Sequence, residues 1–431
     1  VMLLSVLLAA VQTVSADTLF APGFALLGEE IGPPTYIDQA PLFPQRPSFS
    51  MYASMPFPAT GIPGVPIHEL ESSTVVGFTR AELDEALQRL ETEKDDGSFP
   101  GAAVAIGRWD KTVVERGIGT LDGGLASPPV DPDYTIYDLA SLTKVVATTT
   151  AVMLLVEDGL LELDAPVSTY LPTYWGDGRE MITVRHLLAH TSGLPAWAET
   201  SARGDWKVAL SKAMQAKLNS APGERVEYSD VGFVILWAAA EAAYGGQLTE
   251  LLDRRVFRPL EMNFTTFQPG ENCIRCAPTS TTPGFRGVVH DPIARSLGGV
   301  AGNAGLFSTA HDLAKFAAML VNGGQLNGVR ILREETIQRF SRRQPGAGNR
   351  ALGWETPDDF GSGAGGLRIS RSAFGHTGFT GTSLWVDPER GTWTVLLSNR
   401  TYREGPNRMQ AIRREINDRV ATAVDRAVLD R

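Results

Sequence analysis

Apolar positions recur at helical spacing early in the chain. Leu83, Ala86, Leu87 and Leu90 fall on one face after Thr79-Arg80-Ala81-Glu82, which has the form of a capping box. This predicts a helix to about Glu93. Phe99 to Gly107 then reads as a turn entering a strand. A second strand, Thr112 to Gly117, returns through the polar turn Trp109-Asp110-Lys111. From about 135 to 290 the pattern is mostly helical, with segments Ser141 to Asp158 (stopped by Gly159), Val184 to His190 and Val231 to Tyr244. A Gly-dense loop, 298–305, precedes a helix capped by Ser308 or Thr309 and running to about Val321. Two late strands, Thr382 to Val386 and Thr392 to Leu397, flank the turn Asp387 to Gly391 as a hairpin. An amphipathic helix from about Asn407 to Val428 follows.

Strands and a helix at both ends, with helices between, predict an α+β architecture. Both ends share one antiparallel sheet flanked by helices. The segment of about 135–290 is inserted as an all-helical lobe, and the cleft between lobes is the natural site. Before this domain (76–430), residues 17–75 are rich in Pro and Gly and read as an extended segment. Residues 1–16 hold an apolar run ending in Val14-Ser15-Ala16, the pattern of a signal peptide and its cleavage site. The run is short of the roughly 20 residues needed to span a bilayer. These features predict an exported protein, periplasmic or secreted, without a stable membrane anchor after cleavage. No later run reads as a membrane span.

The net charge of -10, with Lys and Arg scattered, argues against nucleic acid as a partner. The two cysteines, Cys273 and Cys276, lack a second pair to complete a zinc site, so the expectation is a local disulfide or two packed thiols. The six histidines show no metal-ligand spacing, and no cofactor fingerprint is present. No metal and no cofactor are expected.

The chemistry concentrates in three places. Ser141-Leu142-Thr143-Lys144 opens a helix, and Lys144 lies one turn from Ser141 on the same face. A lysine serves as a base there only if its ordinary value of about 10.4 is depressed, and the apolar neighbours Val145, Val146 and Ala147 predict such burial. Tyr228-Ser229-Asp230 precedes another helix, placing a phenol where it can relay a proton. His376-Thr377-Gly378-Phe379 runs into the sheet. There Gly378 admits a substrate close to the strand, and a backbone N–H near Phe379 can join that of Ser141 as an oxyanion hole. His290 reads as a wall of the cleft and His311 as a solvated helix residue.

Order and spacing of these segments, with Leu187-Leu188-Ala189-His190-Thr191-Ser192-Gly193 and Leu297-Gly298-Gly299 as auxiliary stretches, resemble the penicillin-recognising serine hydrolases. That family spans class C β-lactamases, DD-peptidases and β-lactamase-like carboxylesterases. The resemblance implies the β-lactamase/transpeptidase-like fold, Ser141 as acylated nucleophile, Lys144 as its base, Tyr228 as relay, and the His190 stretch as a structural turn at the lobe boundary in place of a Ser–His pairing. Asp230, His376, Thr377, Gly378 and Phe379 would bind substrate or its oxyanion. Two departures stand out: His376 replaces the family's cationic Lys, and Asp230 replaces an Asn. Loss of a cation and gain of an anion favour a carboxylesterase or amidase-type hydrolase acting on a small ester, amide or peptide-like substrate. The alternatives are a DD-peptidase or weak β-lactamase, and a catalytically silent binding protein on the same fold.

Overall fold

The computed structural model describes residues 70–197, 206–361, 363–403, 405 and 407–429. The signal-peptide pattern and nearly all of the Pro/Gly-rich segment lie outside the described residues. That segment's last part is described: Ser73–Val76 forms one helical turn closed by Gly77.

Five strands form one antiparallel sheet: β1 (Gly101–Arg108), β2 (Lys111–Gly119), β3 (Phe374–Thr377), β4 (Ser383–Asp387) and β5 (Thr392–Ser398). Their order is β2-β1-β5-β4-β3. β1 therefore pairs with a strand from the far end of the chain, in the register Ala102 opposite Ser398. Alternation sorts the side chains by face. Ala102, Val104, Ile106 and Leu396 pack under α1 (Arg80–Asp95) and the C-terminal helix Met409–Leu429. Ala103, Ala105, Val395 and Leu397 face the larger core that continues into the helical region. Gly107 is required for space, because a Cβ there would lie 2.0 Å from the Trp393 ring. The structure is the predicted α+β fold, with one correction: the inserted segment is not all-helical, because Tyr137–Asp138 and Thr266–Phe267 each pair with Leu306–Ser308 in a small three-stranded antiparallel sheet.

Several local expectations change. Thr79 is the N-cap of α1 but makes no side-chain cap, and its hydroxyl donates to the Ala423 carbonyl of the C-terminal helix. Tertiary packing has taken the group the capping box would use. The Ser141 helix is not uniform: a 3-10 turn (Ala140–Leu142) and a π turn (Lys144–Thr149) precede α2 (Thr150–Glu157). The span Ala140–Glu157 is in fact long and apolar enough to cross a membrane, but 83% of it is buried inside the fold. It is the core helix beneath the site. Cys273 and Cys276 are joined by a disulfide.

Candidate active site

Ser141 is placed by the residues before it. Ala140 sits in the left-handed backbone region (φ 48°), a conformation costly for a residue with a Cβ. The Asp138 carboxylate holds it there, accepting from the Ala140 N–H at 2.9 Å and from the His290 N–H at 2.7 Å. Burial pushes the Asp138 carboxyl up to about 6, against the pull of those two N–H groups. The wide turn that follows carries Lys144 inward until it is wholly buried.

The Lys144 ammonium makes three contacts: Ser141 Oγ at 3.0 Å, Asp230 Oδ1 at 2.5 Å and the Asn303 carbonyl at 2.9 Å. The Tyr228 side chain is also beside the ammonium, its ring centroid 5.0 Å from Nζ. Here one expectation reverses. Burial does pull the lysine down, but Asp230 and Tyr228 beside it outweigh burial and hold it above the ordinary lysine range. Lys144 is an ammonium donating to Ser141, not a neutral amine waiting for its proton. Asn303 comes from the Gly-dense loop, whose Gly302 carbonyl also accepts from Thr148 at 2.7 Å.

The Tyr228-Ser229-Asp230 run divides its labour. Ser229 caps α3 (Asp230–Tyr244) by accepting from the Gly232 N–H at 2.9 Å. Asp230 then falls in the first helical turn, where the helix dipole favours an anion. Tyr228, just before the cap, is bracketed by His190. The His190 carbonyl accepts from Glu227 N–H at 2.9 Å, its Nδ1 accepts from Ser229 N–H at 3.0 Å, and its ring lies 4.4 Å from the phenol ring. The structural turn expected at His190 thus also positions Tyr228.

The third segment is the edge strand β3 and the turn after it. Thr380 and Thr382 hydroxyls donate to the carbonyls of Asp138 and Leu139 at 2.7 and 2.8 Å, stitching the turn to the approach to Ser141. A Cβ at Gly378 would lie 2.1 Å from Thr382 Oγ1 and 2.5 Å from the Leu139 carbonyl. Gly378 is therefore demanded by the protein's own packing, beyond any approach of substrate. Gly378→Ala should push the turn off the Ser141 loop, lowering kcat/KM by at least about tenfold, roughly 1.4 kcal/mol in the transition state. Steady-state kinetics on a chromogenic ester checks this, and an unchanged kcat/KM refutes it.

His376 is buried, and its Nδ1–H donates to the Thr377 carbonyl at 2.8 Å. Burial, with Arg350 and Lys144 near, pushes it well below the usual histidine value, so it is neutral. Its Nε2 has no hydrogen-bond partner. Phe379 is 62% exposed, stacked between His290 (5.7 Å) and the Arg400 guanidinium (4.6 Å). His290 walls this side, as expected. His311 is elsewhere and, instead of standing free in solvent, is largely buried against Glu115 and Asp133.

Sequence reading missed Arg350. Its guanidinium lies 5.3 Å from the Tyr228 ring centroid and is close enough to His376 and His190 to lower both. Nothing in its loop, Gly346 to Arg350, has a recognisable spacing. The charge balance at the site accordingly differs from that expected. Asp230 is paired with Lys144, and Arg350, itself ion-paired with Glu355 at 3.9 Å, adds a cation.

Comparison with known proteins points to one family. The family model described as Beta-lactamase matches residues 87–417. A Salmonella agona (strain SL483) protein, provisionally named a D-alanyl-D-alanine carboxypeptidase, is 29% identical over 376 residues, covering 78% of this chain and 87% of its own. Two solved structures share the fold. A penicillin-binding protein homologue from Caulobacter crescentus has a TM-score of 0.66 at 20% identity, over 80% of this chain and 99% of its own. EstCE1, a hydrolase with promiscuous acyltransferase activity, has a TM-score of 0.63 at 22% identity, over 78% and 99%. With the Ser141–Lys144 pair, Tyr228 and the His376 strand in one place, and this match across most of its length, the chain belongs to the β-lactamase family of serine hydrolases.

Proposed function

We propose that this protein is an exported serine hydrolase that forms an acyl-enzyme on Ser141. Its preferred substrates are peptide-like, with a free carboxylate beside the scissile bond, as in a D-alanyl-D-alanine terminus. The observation that carries this reading is Arg350. Neutral His376 supplies no charge, Lys144 is occupied by Asp230, Arg400 is stacked on Phe379 and Arg413 donates to the Gly378 and Thr382 carbonyls, so Arg350, paired with Glu355 only at 3.9 Å, is the cation beside Tyr228 and His376 best able to receive a carboxylate. Arginine also presents a planar fork suited to a carboxylate.

In this mechanism Ser141 Oγ attacks the substrate carbonyl while the Lys144 ammonium and the nearby helix start favour negative charge at that oxygen. The Tyr228 hydroxyl accepts the Ser141 proton and gives its own to the departing amine or alkoxide as the C–N or C–O bond breaks. Water then hydrolyses the acyl-serine by the reverse relay. The N–H groups of Ser141 and Phe379 serve as the oxyanion hole. A second reading, hydrolysis of simple esters, is favoured by Phe379, an exposed ring that offers an acyl chain an apolar platform.

A rate panel on p-nitrophenyl butyrate, nitrocefin and a D-Ala-D-Ala peptide, for the wild type and Arg350→Ala, separates the readings. The carboxylate reading expects peptide KM to rise about tenfold or more in the variant, as for a lost charged hydrogen bond of about 1.5–3 kcal/mol, while ester turnover changes little. Ester turnover without peptide turnover in the wild type selects the second reading.

A further inference from the structure

Away from Ser141, three ionisable side chains from separate segments converge. Glu115 lies on β2, Asp133 in the turn that precedes the Ser141 loop, and His311 in the first turn of helix Ala310–Val321. Their donor atoms all lie within 4.8 Å of one another. His311 Nδ1 is 3.0 Å from Glu115 Oε1 and 3.5 Å from Asp133 Oδ1. In a tetrahedral zinc site with bonds of about 2.0–2.1 Å, neighbouring donors stand about 3.3 Å apart. Glu115 is 8% exposed, and its second oxygen, Oε2, is buried with no hydrogen-bond partner. A buried acceptor left without a donor is destabilising, and a cation bound at this carboxylate would satisfy it.

We propose that Glu115, Asp133 and His311 bind one divalent first-row transition ion of the zinc class, with a water as fourth ligand. The donor set fits: one imidazole and two carboxylates, whose two negative charges match a dication. The scaffold is firm. The His311 N–H donates to the Pro132 carbonyl at 3.1 Å, and the Asp133 N–H to Asp131 Oδ1 at 2.8 Å. The Thr309 side chain caps the His311 helix by accepting from the Asp312 N–H at 3.1 Å. Lys315, the cation on the same helix, is held by the Glu261 carbonyl at 2.7 Å. With its side chain 18% exposed, His311 leaves an entry path. The ion would join β2, the Asp133 turn and the helix in one link, tying the sheet to the segment that delivers Ser141. Among the described residues this is the one cluster of such donors.

The test is calorimetric titration of the full chain, without an affinity tag and after dialysis against chelator, with Zn²⁺ alone. Thermal unfolding and the visible absorption of added Co²⁺ are read alongside. One saturable ion per chain, a raised Tm, and a Co²⁺ spectrum of low coordination number are expected. Glu115→Gln and His311→Ala should each weaken Zn²⁺ binding about 100-fold, as for lost ligands or their supports. Ester hydrolysis at Ser141 reports that each variant is folded. Absence of saturable binding by the wild type overturns the proposal, as does unchanged affinity in a folded Glu115→Gln protein.

Discussion

Ser141→Ala should abolish turnover of every substrate while leaving the fold intact. The hydroxyl is small, half-buried and bonded to one partner, Lys144 at 3.0 Å, so its loss opens no cavity and breaks no network that supports the core. The kinetic loss should be large, about 10⁴-fold or more in kcat/KM, because removing the nucleophile of a coupled set costs nearly as much as removing the whole set. The variant should unfold at the wild-type temperature and should take up no fluorophosphonate or penicillin adduct by mass spectrometry. A wild-type protein that takes no adduct would instead mark the chain as a silent binding protein. Full activity in Ser141→Ala would place the nucleophile elsewhere.

Lys144→Met should be the second most damaging change, and for a different reason. The ammonium is fully buried, and Asp230, 22% exposed, is its charge partner. Methionine removes the desolvation penalty of a buried cation but strands Asp230, which keeps enough solvent contact to be hydrated. The two terms oppose each other, so stability should move by no more than about 1–2 kcal/mol, below the 3–5 of a fully buried pair. Activity should fall about 10³-fold, because Ser141 loses the donor that favours its developing charge. Denaturant titration beside kinetics makes the separation visible.

The pair also sets a pH dependence. Lys144 is held above its unfolded value, so its contribution to stability is fully present below about 10.5 and is lost as pH rises through the folded value. Asp230→Asn removes the carboxylate that raises it, leaving burial to pull it down. The alkaline limb of the kcat/KM profile should therefore move to lower pH in Asp230→Asn. An unmoved limb would mean that another group governs it.

Much of this site is written in local sequence. Ser141 and Lys144 stand one turn apart and Tyr228 stands ahead of a Ser-capped helix, but it is the order of these segments with the His376 strand entry, resembling one family, that marks them as a site. The order of strands and helices follows from periodicity, since alternation and helical spacing report which faces are buried. What escaped was non-local. The direction of the Lys144 shift depends on Asp230, 86 positions away, and no spacing connects them. Arg350 reaches the cleft from a loop without periodicity. Thr79 looks like a cap until the C-terminal helix claims its hydroxyl. His311 looks like a surface residue until β2 and the Asp133 turn close around it. In each case tertiary packing assigned a role that the neighbouring residues do not encode.

The place of β1 in the sheet carries a consequence for how the protein is made. Its neighbours are β2, which follows at once, and β5, whose Ser398 lies opposite Ala102. Everything that builds the helical region is synthesised between them. A nascent chain can form the β1–β2 hairpin early, but the sheet cannot close until Thr392–Ser398 has emerged. The helix that covers it, Met409–Leu429, comes later still. Pairing across so long a separation is slow, because loop-closure entropy is spent before the contacts form. The sheet must thus stay open long after β1 and β2 have been made, with the β1 edge that will take Thr392–Ser398 unpaired while the whole helical region is synthesised.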